Sequence, residues 1–296
     1  MAITDSIVDF RRFLKRRNLS DHTIKNYLNS LRHFILWLPV PIEEVTQKEI
    51  GLYIDHLLDN ERHPQTINDH LNRIRQFYCY LRDQQQVSII NPVKRSHRAR
   101  VPKPLPRHLQ DAQAKMFIDL PKRCRDQAMF LLMLRSGLRV EEVATLTLDD
   151  IDFKRQRILI RDSKWGKDRV TCVSKDALKA LVDYLKLRPP VRTRKIFLVE
   201  KGTYRDQPIS VRGIQKRMEY YAKKSGLTLC CHQLRHTMAT QLLNAGTGVE
   251  AIQDLLGHSC VTTTKRYSRI SNLKVEKDYH KAMELVMQRC YNPVSP

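Results

Sequence analysis

The chain has 296 residues, 42% of them hydrophobic, enough to bury a sizeable core and, by length, to make two ordinary domains. Its 53 Lys and Arg against 31 Asp and Glu leave a formal charge of +22, which predicts a polyanionic partner; nucleic acid is favoured over a membrane surface because the basic residues run along the whole chain. The sequence has no apolar run near the roughly 18 residues that span a bilayer, no signal-like core in the amphipathic start Met1 to Arg17, and no CxxC pair among its seven cysteines; a membrane helix, a secreted disulfide framework and a common zinc site are argued against, and a cytoplasmic or nucleoid-associated protein is expected.

The first 85 or so residues read as helices. Ile3, Ile7, Phe10 and Leu14 form one apolar stripe, and Ile24, Tyr27, Leu28, Leu31, Phe34, Ile35 and Leu38 form a second that Ser20 can cap. Thr46 with Glu49 makes a capping box before Ile50, Tyr53, Ile54, Leu57 and Leu58, and a stripe from Ile67 to Leu81 follows Pro64. A small four-helix domain over residues 1–90 is expected. The faces bearing Lys25, Asn26 and Arg32, or Asn68, Asn72 and Arg75, suit either a DNA groove or plain solvent.

Between Asn91 and His108 the pattern breaks. Pro92, Pro102, Pro104 and Pro106 interrupt a stretch that carries Lys94, Arg95, Arg98, Arg100, Lys103 and Arg107 with no acid, so residues 91–108 are read as a basic linker that tracks a phosphate backbone. Helical stripes return at Ala128 to Leu134 and after Gly137, which suits a left-handed helix end. Two β-prone runs, Arg157 to Arg161 and Arg169 to Val173, flank a polar turn at Trp165-Gly166-Lys167-Asp168. Ser174 then starts a helix to about Leu187, a short strand is expected at Lys195 to Val199, Ser210 opens another helix, and the remainder is helical in pieces broken at Gly246, Gly257 and Asn272. The fold class is therefore mainly α with a small β-sheet, with residues 109–296 a mixed α+β unit.

Breaking a phosphodiester needs a nucleophile, donors for the charge that builds on the phosphoryl oxygens, and an acid for the leaving oxygen. Residues for all three lie in the second half. His232 and Arg235, three apart at a helix start, share one face; Arg139, after Ser136-Gly137-Leu138, can join Arg235 in a two-sided fork around one phosphate. His258 stands nine residues before Tyr267, a spacing that lets both reach one point. Glu142 either orients buried polar groups near Arg139 or is a helix-surface acid. Asp149, Asp150 and Asp152 are better explained by turn formation than by a metal, and the adjacent Cys230 and Cys231 have poor ligand spacing. No metal or nucleotide cofactor is expected.

In order and spacing these residues resemble the tyrosine recombinase/integrase family, in its simple two-domain, Xer-like or transposon- and phage-borne form. The most specific matches are Ser136-Gly137-Leu138-Arg139-Val140-Glu141-Glu142, His232-Gln233-Leu234-Arg235-His236-Thr237-Met238-Ala239-Thr240, and Leu255-Leu256-Gly257-His258 with Thr263-Thr264 and Tyr267. The resemblance implies a helical core-binding domain followed by a catalytic domain. It further implies that Tyr267 attacks the phosphate to leave a 3′-phosphotyrosyl link, with Arg139 and Arg235 on the non-bridging oxygens. His232 would accept the tyrosine proton, His258 would donate to the phosphate, and Lys164 would protonate the leaving 5′ oxygen. The hairpin Ser163-Lys164-Trp165-Gly166-Lys167-Asp168-Arg169 lacks the family's usual Gly-Lys-Gly, and Lys167 remains a rival to Lys164 as the acid.

The partners implied are double-stranded DNA and further copies of the chain, dimers on each site and a tetrameric synapse. The tail, Asp278 to Cys290, either packs on a neighbouring subunit, as in the family, or forms an intramolecular core helix. The alternatives weighed are a type IB topoisomerase, a non-catalytic DNA-binding regulator and a metal-dependent nuclease; the helical start, the complete residue set and the lack of a carboxylate cluster count against them in turn.

Overall fold

The computed structural model describes residues 3–101, 108–163, 167–257 and 272–291. Two compact units emerge, Met1–Pro104 and Leu105–Pro296, each with its own apolar core.

In the first unit, helices α1 (Ile3–Arg16), α2 (Asp21–Trp37), α3 (Gln47–Asp59) and α4 (Pro64–Gln84) turn their stripes inward, so that Phe10, Leu31, Phe34, Ile50, Ile67, Ile74 and Phe77 are all but inaccessible. The start signals act as read: Ser20 Oγ accepts from Thr23 N, and Glu49 Oε2 accepts from both the backbone and the hydroxyl of Thr46. The segment assigned to the linker is packed over its first part. Val93 is buried beside Ile89 in the helical core, and Asn91 Nδ2 donates to the Arg75 carbonyl at 2.9 Å. Asn68 corrects an expectation: instead of facing a DNA groove it is buried, and its amide both donates to Ala99 O (2.9 Å) and accepts from Ala99 N (3.0 Å). A partly buried backbone amide with no helix or sheet to join is satisfied by such a partner. Lys94, Arg95, Arg98 and Arg100 stay exposed on the strap so formed, as do Lys25, Arg32 and Arg75 on α2 and α4.

The second unit is built around α6 (Cys124–Arg135), preceded by α5 (Asp111–Asp119) and followed by α7 (Val140–Thr145). Ala128 through Leu134 are buried without exception, the mark of a helix apolar on every side and therefore enclosed; α5, α7, α8 (Lys175–Leu187) and α10 (Cys231–Asn244) surround it. Strands β1 (Ile151–Asp152), β2 (Arg157–Ser163) and β3 (Lys167–Cys172) form an antiparallel meander. Register pairs Ile158 with Thr171 and Ile160 with Arg169, and is irregular between Ile160 and Ser163. Lys167 and Asp168, expected in the turn, belong to β3; the ladder extends two residues further than β propensity alone suggested.

The run Lys195 to Val199 is extended but is not a strand of this sheet. It makes isolated bridges to Thr147 and Pro208 and is held by bonds such as Ile196 N to Leu146 O and Val199 N to Gln207 O. Helix α9 (Val211–Ser225) opens with Ser210 Oγ accepting from Gly213 N, as read from the sequence. Helices α11 (Val249–Leu256) and α12 (Asn272–Tyr291) complete the unit. In this chain α12 is an intramolecular core helix: Tyr279, Ala282, Met283 and Val286 are buried against Met238, Leu242, Leu255 and Leu256, and the Tyr279 hydroxyl donates to Arg135 O at 2.9 Å. Among the described residues no helix is long and apolar enough to cross a membrane.

Candidate active site

Two helix starts and one strand converge on the site. Gly137, with φ of +66°, lets the chain leave α6 and turn sharply into α7; a Cβ there would stand 2.8 Å from Leu256 and 2.9 Å from the Met238 sulfur. Two residues on, Arg139 occupies the N-cap of α7. Glu142 reaches back from the first turn, its Oε2 accepting from Arg139 N (2.7 Å) and its Oε1 from Arg139 Nη1 (2.8 Å). The carboxylate thus caps the helix and pins the guanidinium of the same residue. Of the two readings of Glu142, the orienting one describes its contacts.

Arg235, on the first turns of α10, is buried to 2% exposure. Its Nη1 donates to Gly137 O at 2.5 Å and its Nη2 to Leu256 O. Its other donors find no acceptor among the described residues. Burial first, then the like charges of Arg139 and Arg169, lower its pKa to about 9, so it remains a cation at neutral pH but one short of counter-charge. His232 lies on the same face, exposed at the rim. Partial burial, then His236, Arg235 and Arg139, push its pKa below the usual imidazole value, so the ring is neutral at pH 7 and able to accept a proton. Arg139, His232 and Arg235, with Leu138, Val140, Glu141 and Cys231, line one open hollow of about 180 Å³.

Arg169 of β3 carried no role in the sequence reading, yet it completes the cluster. Its side chain is 8% exposed, and its Nη1 and Nη2 donate to Glu142 Oε1 and Oε2, both at 2.7 Å, a two-pronged pair. A signal was present: strand alternation puts Arg169 on the inward face with Thr171, opposite the buried Ile160, and an inward arginine requires an anion.

Of the other expected site residues, Lys164, His258 and Tyr267 lie outside the described residues, as does Trp165; Lys167 opens β3. The neighbouring acids are engaged locally. Asp150 accepts from Thr147 N and Oγ1 and pairs with Arg161, Asp149 pairs with Arg194, and Asp152 accepts from Arg155 N. Cys231 is buried, its thiol pushed up to about 11, and Cys230 is exposed.

Residues 107–273, more than half of the chain, match the phage integrase family. The chain belongs to that family. Residues 7–87 match the phage integrase N-terminal SAM-like domain. Among relatives of this integrase-family protein, tyrosine recombinase XerA of Thermococcus kodakarensis is 30% identical over 278 residues, 93% of this chain and 94% of that one. Tyrosine recombinase XerC of Chlamydia pneumoniae is 31% identical over 311 aligned positions, 93% of this chain and 97% of that one. The fold is shared with the Tn1549 transposon integrase solved with circular intermediate DNA (TM-score 0.71, 19% identity, 92% of this chain and 98% of that one) and with a lambda integrase dimer bound to a core site (TM-score 0.71, 18% identity, 92% and 100%). The integrase-family chain is a site-specific tyrosine recombinase, an enzyme that breaks and rejoins DNA strands.

Proposed function

We propose that this recombinase works through Tyr267, and that the hollow between α7 and α10 receives the scissile phosphate. The observation that carries the reading is the convergence of Arg139, Arg235 and His232 on one small cavity. Two guanidinium groups set around a phosphodiester stabilise the negative charge that grows as the phosphorus becomes five-coordinate, and a preorganised pair does so with no reorganisation at the moment of reaction. Tyr267 attacks the phosphorus and a 3′-phosphotyrosyl bond forms as the 5′ oxygen leaves. His232 takes the phenol proton, needed because a phenol has a pKa of about 10, and Lys164, or its rival Lys167, returns a proton to the 5′ oxygen. His258 donates to the phosphate. A 5′ hydroxyl from another strand then reverses the step, so bond energy is kept in the protein link.

The first unit holds the duplex through Lys25, Arg32 and Arg75 on its helices and Lys94, Arg95, Arg98 and Arg100 on its basic strap. The working assembly is a dimer on each site and a tetramer at synapsis. The lambda integrase dimer on its core site supports the dimeric part of this reading.

The test is a nicked suicide duplex bearing the site selected by the wild-type protein from random-sequence DNA. A covalent adduct on a denaturing gel with the wild type, and none with Tyr267→Phe under conditions where both bind, is the expected result; an adduct with Tyr267→Phe would reassign the nucleophile.

A further inference from the structure

We propose that Arg169 is a positioning residue for strand cleavage: its guanidinium fork holds Glu142, and through Glu142 the phosphate-facing Arg139, in place against the carboxyl end of α11. The inference rests on the assignment of Arg139 and Arg235 to the scissile phosphate.

Three observations converge on it. First, Glu142 is shared. Each carboxylate oxygen accepts one prong of Arg169, while Oε1 also takes Arg139 Nη1 and Oε2 takes Arg139 N. Burial alone would raise the Glu142 pKa, but the bonds and charge of Arg169, followed by those of Arg139, reverse this and hold it below the usual carboxylate range. Glu142 therefore remains the charged acceptor that fixes the Arg139 side chain.

Second, Arg169 also reaches the end of α11, its Nε donating to Leu255 O at 3.2 Å, while the next carbonyl, Leu256 O, takes Arg235. The last carbonyls of a helix lack partners within it and carry the negative end of its dipole. Two arginines from two different elements therefore fasten on consecutive carbonyls of one helix end, and the positions of Arg139 and Arg235 are set from a common base.

Third, the fold makes room for this contact. At Gly257, with φ of +59°, an added Cβ would stand 2.8 Å from Arg169 Cδ. The residue that ends α11 is thus a glycine where the Arg169 side chain passes. No other residue type of the same charge fits this role: a lysine keeps the charge but, as a single ammonium, cannot span both carboxylate oxygens and the Leu255 carbonyl.

The experiment measures single-turnover cleavage at saturating DNA, and DNA affinity, on the full chain with the nicked duplex above. Arg169→Met should bind within about threefold of wild type yet cleave roughly 100-fold more slowly, the scale of loss when a catalytic group is misplaced by an ångström. Arg169→Lys should fall between the two. Glu142→Gln should also be slow, and adding Arg169→Met to it should cost little more, since both act through one contact. Wild-type cleavage by Arg169→Met or by Arg169→Lys, a silent Glu142→Gln, or losses that multiply in the double variant would each overturn the proposal. Should Arg169→Met not melt cooperatively, Arg169→Lys decides by the same comparison. Arg139→Ala, run alongside, reports on the phosphate site itself: if it cleaves normally, the underlying site assignment fails independently of what Arg169 does.

Discussion

At the scale of single residues, the chemistry turns on how the charge of each group is held. Arg235 spends two donors on carbonyls and is buried among like charges. Replacing it with lysine removes the planar fork, and cleavage should drop about 100-fold to 1,000-fold, the usual loss for one transition-state donor, while DNA affinity in a fluorescence assay changes little. His232 has a lowered pKa, and its working form as a base is the neutral one. As pH falls through that lowered value the ring gains a proton and cleavage declines, so the acid limb of the single-turnover rate should lie below the ordinary imidazole value of about 6.5. His232→Gln should remove that limb; a limb unchanged in the variant would exclude His232 as its source. Arg139, His232 and Arg235 were legible because they stand beside helix starts, where the preceding residues tell which way the chain turns. Arg169 was not, because its partner Glu142 lies 27 residues away and strand alternation reveals only that a charge points inward.

At the scale of elements, the site depends on close approach between helix ends. Gly137 carries φ of +66°, and a side chain there would press on Leu256 and Met238. Gly137→Ala should destabilise the second unit by roughly 1 kcal/mol from the backbone conformation alone, with more from the clash, and the same shift should displace the carbonyl that accepts from Arg235. A lowered denaturation midpoint together with slower cleavage is expected; a midpoint equal to wild type would show that the turn tolerates a side chain. Caps behave more simply. The Thr46 and Glu49 box is satisfied in full, and it was readable because every participant lies within four residues. Asn68 shows the opposite: its neighbours Asn72 and Arg75 made the face look like a reading surface, but Ala99, 31 residues on, claims its amide at both ends.

At the scale of the whole molecule, charge and the closing helix matter most. The surplus of +22 and the exposed cations on the strap predict salt-sensitive binding. A contact with 6 to 10 phosphates loses about 10³ to 10⁵ in affinity between 50 and 200 mM salt. Changing Lys94, Arg95, Arg98 and Arg100 together to serine should flatten the log–log salt slope by about 3 to 4; an unaltered slope in an anisotropy titration would remove the strap from the DNA interface. Helix α12 fills part of the core of its own unit, with Tyr279 wholly buried and bonded to Arg135 O. Tyr279→Ala should therefore cost about 3 to 5 kcal/mol, read by chemical denaturation, and deleting the helix would uncover Met238 and Leu242 unless a neighbouring chain supplies its own α12.

Local physics was enough for the sequence to declare the helical first unit, the caps, the glycine turns, the antiparallel hairpin and the arginines and histidine that meet in the hollow, because each is encoded within one turn of helix or one strand. Only the tertiary structure decided that Asn68 holds a strap, that α12 closes its own core, and that Arg169 grips Glu142. These depend on partners far apart along the chain, and a buried charge or amide chooses its partner by proximity in space, which periodicity along a sequence does not carry.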